Sequence, residues 1–415
     1  MAKLSPPKTW NVSTISAIEY HMTADHEKAA QPLIQAALAT LQRGDAKGAL
    51  AMLVEAEKNH SGSVGVKLNL ALARRTLADY PGALRALDAA LAIDPYLFLA
   101  LLSKGAVLEQ MNQPRRAAEI YRNALRIAPP VDKTPPSLVA PIRRARELVN
   151  EQAEALQAHL HKQLGGLLAE HADEPLTRFK ECLEVLAGTK RIYSAQPIQL
   201  QMPQLPAIPF FDREYFPWLP RLEAATDTIR GELQALIDAG MQGFEPYIRY
   251  APGTPVNQFG PLNHSRLWSS LWLWKDGEAQ SEPIARCPET AAVLAELPMA
   301  DQPEFAPTAL FSALAPHTRI PPHTGSTNTR LLVHLPLVLP GPAGFRVGNE
   351  VREWRIGEAW VFDDTIEHEA WNDSDETRVI LIFDIWNPLL SPAERELVSA
   401  LLLEHRQWLG QARSP

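Results

Sequence analysis

A repeat of 34 residues runs through the first third of the chain and limits how that part can fold. Small residues return at this interval, as Ala49, Ala83 and Ala117, and again as Ala56, Ala90 and Ala124. From about residue 30 to residue 130, apolar residues also recur at steps of three and four, which predicts amphipathic helices. Three units in register favour a solenoid of antiparallel helix pairs.

The third unit resembles a tetratricopeptide repeat closely. It reads LSKGAVLEQMNQPRRAAEIYRNALRIAPP, and the signature positions of that repeat hold Gly105, Ala117, Tyr121, Ala124 and Pro129. Small residues are needed there because two antiparallel helices approach closely. The resemblance implies a concave surface that holds a peptide or a partner protein, whereas a plain supporting bundle is the alternative. Residues 137–190 are expected to continue as helices that cap the array.

Length and composition indicate a globular protein of two or three domains. The 415 residues are 46% hydrophobic and 21% charged, with a net charge of -8. The sequence has no polybasic run, so nucleic acid and anionic membranes are not expected as partners. The N-terminus lacks the apolar core of a signal peptide, and two cysteines are too few for a disulfide framework. A cytoplasmic protein is therefore expected.

The pattern changes after about residue 245, where short β-type runs are separated by turn residues. These runs are SSLWLW, ALFSALA, TRLLVHLPLVLP, GFRVGNEVREW, EAWVFDD and TRVILIFDIW. Many short strands with turns between them predict a sandwich or a jelly roll of the cupin kind.

Two histidines and an arginine in these strands indicate a chemical site. His323 lies in PPHTGSTNTRLLVHLPL, and His368 lies 45 residues later in FDDTIEHEAWND. Imidazoles from different strands of a jelly roll suit a non-haem iron site that keeps open positions. Arg378 follows in an otherwise apolar strand, where a buried guanidinium needs an anion such as a bidentate carboxylate. The nearby alternatives for its partner are Asp373, Asp375 and Glu376.

These stretches, together with LWSSLWLWKDG upstream, resemble the aspartyl/asparaginyl β-hydroxylases. The resemblance covers roughly residues 210–395 and is densest in residues 312–388. It implies an Fe(II)- and 2-oxoglutarate-dependent oxygenase with a double-stranded β-helix fold, and mammalian members also carry a tetratricopeptide-like region before it. The prediction is therefore a multidomain α + β protein, in four parts: an N-terminal extension (1–29), a helical repeat domain with capping helices (30–190), a proline-rich linker (191–220) and an oxygenase domain (221–415).

The resemblance also implies roles for individual residues. His323 and His368 would hold Fe(II), Ser312 and Arg378 would bind the distal carboxylate of 2-oxoglutarate, and His334 would lie near its other carboxylate. Two further residues, Arg330 and Trp268, match positions that contact the substrate or flank the site. The pleat of a strand independently puts Arg330 and His334 on one face, with Leu332 between them. Trp272 and Trp274 are expected to be ordinary sheet packing.

Gly325 stands where most enzymes of this type carry a metal-binding carboxylate. The family also has glycine there, which implies that water fills the vacant position, although in 2-oxoglutarate halogenases the same vacancy admits chloride. Glu369 is not expected to substitute, because neighbouring side chains of a strand point to opposite faces. Asp363 and Asp364 are expected to support the turn or the ligands without binding the metal.

The predicted reaction is hydroxylation of the β-carbon of an Asp/Asn-type residue in a peptide or protein, with O2 and 2-oxoglutarate consumed and succinate and CO2 formed. Leu332 stands where animal members have another arginine. The resemblance therefore predicts the class of enzyme better than it predicts the substrate. Two alternatives remain open at this point. One is hydroxylation of a free or carrier-bound amino acid or another small molecule, and the other is an interaction protein with an inactive oxygenase domain.

Overall fold

A computed structural model describes residues 25–254 and 257–410. The chain divides into two compact units, Met1–Lys190 and Arg191–Pro415. Most of the N-terminal extension expected over residues 1–29 lies outside the described residues. The first unit is helical where it is described, and the second combines β-sheets with helices.

The first unit consists of antiparallel helices that pack in sequence order. The strongest contacts join helices that follow one another, within pairs and between pairs, as the 34-residue period predicted. The helices are α1 (Asp25–Gln42), α2 (Ala46–Asn59), α3 (Val64–Thr76), α4 (Tyr80–Ile93), α5 (Phe98–Gln110), α6 (Pro114–Arg126), α7 (Pro136–Glu170) and α8 (Thr177–Ala187).

Two of the repeats share the same helix cap, one period apart. The carboxylate of Asp45 accepts a hydrogen bond from the Gly48 backbone N–H at 2.8 Å, and Asp79 accepts one from Gly82 at 2.9 Å. Such a cap satisfies one of the N–H groups that lack a partner in the first turn of a helix. The 34-residue repeat is therefore visible in the helix-capping residues as well as in the spacing of apolar residues.

Close helix approach also explains the small residues of the repeat. A Cβ atom at Gly105 of α5 would collide with the ring of Tyr121 on α6, which is fully buried. The tetratricopeptide interpretation is confirmed at this position, because the aromatic ring of one helix occupies the space left by the glycine of its partner.

The second unit is built from two antiparallel sheets with helices beside them. Its helices are α9 (Leu219–Ala224), α10 (Thr226–Asp238), α11 (Ser281–Arg286), α12 (Pro288–Ala295) and α13 (Pro392–Trp408). Its strands are β1 (Glu245–Pro246), β2 (Trp268–Lys275), β3 (Glu278–Ala279), β4 (Ala309–Leu314), β5 (Thr318–His323), β6 (Arg330–Val338), β7 (Ala343–Val347), β8 (Glu350–Glu353), β9 (Trp360–Phe362), β10 (His368–Asn372) and β11 (Arg378–Trp386).

The larger sheet has the strand order β1-β2-β4-β11-β6-β9, with β3 beside β2, and the smaller sheet has the order β5-β10-β7-β8. Alternate residues along the strands of the larger sheet point to opposite faces and pack in two different hydrophobic cores. On one face Phe311 and Leu381 pack with Leu233 of α10, and on the other face Ile380 packs with Phe345 of the smaller sheet. Polar side chains at the second set of positions therefore enter the space between the two sheets.

The proline-rich segment expected to be a linker belongs to this second unit. The backbone N–H groups of Gln196 and Ile198 donate to the carbonyls of Thr365 and Gly325, at 2.7 and 2.9 Å. Phe210 is buried in the core between the sheets. The segment thus ties together the loop that follows β5 and the loop that precedes β10.

Candidate functional site

His323 and His368 meet at the ends of two neighbouring strands of the smaller sheet. His323 is the last residue of β5, His368 is the first residue of β10, and the two are register partners. Their ring centroids lie 4.0 Å apart, with 53° between the ring planes. The two histidines that lie 45 residues apart in the sequence are therefore in contact.

Backbone carbonyls fix the proton on both imidazoles. The Nδ1 atom of His323 lies 2.7 Å from the Pro321 oxygen, and that of His368 lies 3.0 Å from the Ile366 oxygen. Since a carbonyl oxygen can only accept, each Nδ1 carries the hydrogen and each Nε2 keeps its lone pair. Burial lowers the pKa of His323 and, with the charge of His323 added, lowers the pKa of His368 well below its usual value. Both rings are thus in the neutral form that binds metals.

Asp364 occupies the space that a side chain at position 325 would fill. A Cβ atom at Gly325 would collide with the Asp364 carboxyl group, and the Gly325 N–H donates to the Asp364 backbone oxygen at 2.7 Å. Burial, followed by the charge of Asp363, raises the pKa of Asp364 to about 8. The acid missing after His323 is therefore replaced in space by one from the loop before His368.

The other nearby acids have partners of their own. Asp363 accepts hydrogen bonds from the backbone N–H and the hydroxyl of Thr365, at 2.9 and 2.5 Å. Glu369 forms an ion pair with Arg346 at 2.5 Å. In the described ranges, 25–254 and 257–410, no group of three or more His, Cys, Asp or Glu side chains is arranged to hold a metal ion. The donor set at this position is the histidine pair.

Arg378 is a buried cation for which the described residues supply no carboxylate partner. Its side chain is 1% exposed, and burial lowers its pKa to about 10. Its Nε and Nη1 atoms have no hydrogen-bond partner among the described residues, and the guanidinium lies 5.3 Å from the Trp354 ring centroid. Of the acids expected as possible partners, Asp373 pairs with Arg319 and Asp375 pairs with His317. Because a buried unpaired guanidinium is costly, this position fits an anionic ligand.

Further polar groups surround Arg378 on the same side of the larger sheet. His334 is buried, and its Nδ1 has no partner among the described residues. Burial and the charge of Arg378 hold the pKa of His334 well below its usual value, and its ring stacks on Trp354 with centroids 5.7 Å apart. Ser312, on the neighbouring strand β4, accepts a hydrogen bond from the Trp268 indole at 3.1 Å. Arg378, His334 and Ser312 are thus brought together between the sheets.

Sequence reasoning missed Ser270 and Trp354. Both are buried, and the Ser270 hydroxyl and the Trp354 indole N–H have no hydrogen-bond partner in the described part of the chain. Ser270 is the register partner of Ser312, and its place in WSSLWLW, two residues after Trp268, could have indicated it. Trp354 directly follows β8 and is the last residue of the predicted run GFRVGNEVREW, in which nothing distinguished it from ordinary sheet packing.

Arg330 is already engaged by an acid. Its Nη1 donates to Asp384 at 2.5 Å and to the Phe305 backbone oxygen at 2.9 Å. Asp384 is 3% exposed and also accepts from the Thr308 N–H at 2.8 Å. Sequence reasoning missed this acid, although its position in the apolar run RVILIFDIW is a signal. Arg330, which was expected to contact the substrate, therefore has its positive charge neutralised by the carboxylate of Asp384.

Trp268 forms part of an aromatic surface beside His323. Its ring centroid lies 6.3 Å from that of His323 and 4.0 Å from that of Tyr247, on which it stacks. Trp272 also stacks on Tyr247, whereas a register shift after Trp272 turns Trp274 toward the core beneath the helices. Trp268 and Trp272 therefore pack with Tyr247, whereas Trp274 packs in the core beneath the helices.

The sequence also resembles known proteins. The family model described as Aspartyl/Asparaginyl beta-hydroxylase matches residues 223–388. An ornithine lipid ester-linked acyl 2-hydroxylase of Rhizobium tropici is 33% identical over 204 residues, which cover 48% of this chain and 68% of that protein. The aspartyl/asparaginyl beta-hydroxylases of Homo sapiens and Mus musculus are 36% and 31% identical. In both cases 44% of this chain matches, and it spans only 24% and 25% of their lengths.

Among solved structures, the Arabidopsis OM64 TPR domain aligns with 30% of this chain and 98% of its own, at 20% identity and a TM-score of 0.26.

In the described part of the chain, none of the helices combines the length and the apolar character that crossing a membrane requires. The match to the family model and the extent of the similarity to the Rhizobium tropici hydroxylase lead to one conclusion: the chain belongs to the aspartyl/asparaginyl β-hydroxylase family.

Proposed function

We propose that the second unit is an Fe(II)- and 2-oxoglutarate-dependent hydroxylase with a double-stranded β-helix, or jelly-roll, fold. The observations that carry the proposal are the pair of neutral imidazoles on the smaller sheet and, on the larger sheet, a buried guanidinium for which the described residues supply no acid. His323 and His368 would hold the iron through Nε2. Arg378 and Ser312 would bind the distal carboxylate of 2-oxoglutarate, and His334 would lie near its other carboxylate.

Fe(II), 2-oxoglutarate and O2 would supply the oxidation, in which one oxygen atom enters a substrate C–H bond and the other converts 2-oxoglutarate to succinate and CO2. The protein residues prepare the site for this reaction. Pro321 and Ile366 orient the two imidazoles through their carbonyls, as metal-binding histidines require. Trp268 holds the Ser312 hydroxyl and, with the aromatic surface around it, keeps bulk water away from the reacting carbon.

The substrate follows less directly from the residues. Hydroxylation of an Asp/Asn-type residue in a peptide or protein is the reaction that the names of the mammalian relatives suggest. The Rhizobium tropici relative, named as an acyl hydroxylase acting on an ornithine lipid, favours a small-molecule substrate. The ion pair between Arg330 and Asp384 supports a small-molecule substrate, because it leaves Arg330 less available to bind the carboxylate of an aspartate residue. An inactive oxygenase domain is disfavoured, because His323, His368, Ser312, Arg378 and His334 are all retained.

The helical unit is proposed to hold a peptide or a partner protein, and the protein is proposed to be cytoplasmic. The repeat architecture supports the first of these, because stacked helix pairs form extended concave surfaces. A screen of peptides against the full chain by fluorescence anisotropy tests it. Saturable binding is expected, whereas a chain that instead forms a stable dimer by light scattering and binds none of them would contradict this role.

The enzyme proposal is tested by the binding of metal and cosubstrate as well as by turnover. Calorimetry should detect 2-oxoglutarate binding that depends on added Fe(II), or on Mn(II) in its place, and succinate should form under O2. His368→Ala should abolish the metal-dependent binding. His405→Ala, which removes an exposed histidine of α13, is the matched control and should bind normally. Equal metal-dependent binding by wild type and His368→Ala would refute the proposal.

A further inference from the structure

We infer that residues 191–202, called the strap here, position the histidine pair by fixing the separation of the two loops next to it. One loop follows His323 at the end of β5, and the other precedes His368 at the start of β10. The effect expected on metal binding rests on the proposed function, because it concerns the same two histidines. The strap lies ahead of residues 223–388, which the family model matches, so its role does not follow from that match.

The histidine pair lies where the regular strand pairing stops. His323 and His368 are the last register partners of β5 and β10, and the register shifts between His368 and Ala370. Such an irregularity disrupts the ladder locally and lets a strand bend. Beyond the pair, a hydrogen bond from the Gly325 N–H to the Asp364 oxygen, at 2.7 Å, joins the two loops. One bond leaves two loops free to turn about it, so a fixed distance between the imidazoles needs further contacts.

The strap supplies hydrogen bonds to both loops. On one side, the Gln196 N–H donates to the Thr365 oxygen at 2.7 Å. On the other side, the Ile198 N–H donates to the Gly325 oxygen at 2.9 Å, and the next two N–H groups of the strap donate to the Ser326 oxygen at 2.9 and 3.1 Å. Because Gly325 itself donates to the other loop, these bonds form a closed ring through the strap and both loops. A change in the distance between the loops would break at least one of them.

The far end of the strap is held by Asn328. Its side-chain amide accepts from the Met202 N–H at 2.7 Å and donates to the Met202 oxygen at 2.9 Å. Asn328 is 2% exposed, and its own backbone oxygen accepts from the Asn387 side chain at 3.0 Å, just past the end of β11. Two bonds from one planar amide fix the direction of the strap as well as its distance from the loop. Loss of this amide would leave two backbone groups of the strap without these partners.

The near end of the strap is tied to both neighbours of His368. The Tyr193 hydroxyl accepts a hydrogen bond from the Arg346 guanidinium at 3.1 Å. Arg346 also pairs with Glu367 and Glu369, at 3.1 and 2.5 Å, which directly precede and follow that histidine. Hydrogen bonds from charged donors are stronger than neutral ones, so this contact anchors the strap beside the second histidine.

The strap therefore acts on the metal-binding half of the candidate site. Removal of groups that orient metal ligands without touching the metal lowers metal affinity by about 10–100-fold. Arg378, which is proposed to bind the distal carboxylate, lies on β11 of the larger sheet, whereas the strap bonds to the loops next to β5 and β10 of the smaller sheet. Weaker metal binding is thus the effect expected from a loosened strap.

The first experiment removes one strap bond in the full chain without removing packing. The Ile198 side chain is 76% exposed, so Ile198→Pro deletes the N–H that donates to Gly325 and little else. Ile198→Ala keeps that N–H and is the matched control. Amide hydrogen exchange of the metal-free proteins, read by mass spectrometry over residues 324–329 and 363–367, should be about tenfold faster in Ile198→Pro than in Ile198→Ala.

Mn(II) binding is the second readout of the same two variants. The electron paramagnetic resonance signal of the free ion gives the affinity without any turnover. Ile198→Pro should bind Mn(II) about tenfold more weakly than wild type, whereas Ile198→Ala should stay within about twofold of it. When wild type binds Mn(II), the absence of either effect in Ile198→Pro overturns the inference.

A second pair of variants separates positioning from general stability. Asn328→Ala removes both bonds to Met202. Glu232→Ala is its control, because it removes an α10 carboxylate that accepts from the Glu289 and Thr290 N–H groups at 2.8 Å. Both should lower the thermal unfolding temperature, but Asn328→Ala should weaken Mn(II) binding about tenfold and Glu232→Ala should leave it within about twofold. Equal losses of affinity in the two variants would show a general effect of stability and overturn the inference.

Absence of Mn(II) binding in wild type is a different result, because it removes the proposed function itself. The exchange comparison between Ile198→Pro and Ile198→Ala needs no metal, and it then decides alone whether the strap holds the two loops. If Asn328→Ala does not fold, the two Ile198 variants remain the deciding test.

Discussion

His323 and His368 lie opposite each other in the register of β5 and β10, with ring centroids 4.0 Å apart and each Nδ1 bonded to the carbonyl two residues earlier. The local chain therefore sets the tautomer of each ring, and the strand pairing sets the distance between them. The stability of the folded protein therefore depends on the protonation state of the two histidines.

The stability of the metal-free protein is expected to fall as the pH is lowered below about 6.5. The pKa of both histidines is lowered in the folded state, so the unfolded state binds more protons between 6.5 and the lowered values. Wild type should lose about 1–2 kcal/mol more than His323→Gln/His368→Gln between pH 7 and pH 5. Urea unfolding of chelator-treated protein at both pH values measures this. Parallel pH profiles for the two proteins would contradict the prediction.

Arg378→Met is expected to separate stability from cosubstrate binding. Because the guanidinium is buried and has no acid partner in the part of the chain that the structure describes, its replacement by an apolar side chain of similar length should stabilise the ligand-free protein by about 1–3 kcal/mol. The same variant should bind 2-oxoglutarate at least about tenfold more weakly, because a charge-assisted pair is lost. Thermal unfolding and calorimetry measure the two effects.

The matched control is Arg319→Met, which removes an exposed arginine paired with Asp373. It should change both quantities little, since exposed ion pairs contribute about 0–1 kcal/mol. A strong loss of stability in Arg378→Met would indicate a structural role for the arginine.

Trp354→Phe is expected to weaken 2-oxoglutarate binding without a large loss of stability. The indole stacks on His334 and lies against Arg378, and its N–H is buried without a protein acceptor among the described residues. Phenylalanine keeps an aromatic ring but removes the donor, so affinity should fall by about threefold to tenfold if the N–H donates to the bound carboxylate. Ser312→Ala provides the comparison for loss of one hydroxyl. Calorimetry at equal metal concentration is the measurement, and unchanged affinity in Trp354→Phe would remove Trp354 from the site.

In the helical unit, Gly105→Ala is expected to destabilise the protein by about 1–3 kcal/mol, because the added methyl group collides with the Tyr121 ring in a packed core. Gly165→Ala, in α7, has open space around the new methyl group and should stabilise its helix by about 1 kcal/mol. Circular dichroism during urea unfolding measures both. A stabilising Gly105→Ala would mean that the two helices separate easily.

The sequence predicted the helical repeats well because a repeat of one local pattern needs little long-range information. Ala83 and Gly105 mark close packing wherever the helix pairs stack. The histidine pair was also predictable, since His323 and His368 lie in strand-like runs whose motifs resemble one family.

The charge balance around Arg330 was not predictable, because it depends on how β6 and β11 align. Asp384 lies opposite Leu332 only in the observed register, and a shift of one residue would turn it away from the site. Trp354 escaped notice for a related reason: it reaches His334 from a loop, where no periodic pattern fixes the direction of a side chain.

The collision between a side chain at position 325 and Asp364 couples two positions that lie 39 residues apart. Only one of the two positions can carry an acid of this size at a time. Gly325→Asp alone would crowd two carboxyls into one space, whereas Gly325→Asp combined with Asp364→Gly would transfer the acid from one strand end to the other. Single substitutions that move the acid from position 364 to position 325 without this collision would therefore pass through a chain with no acid at either position.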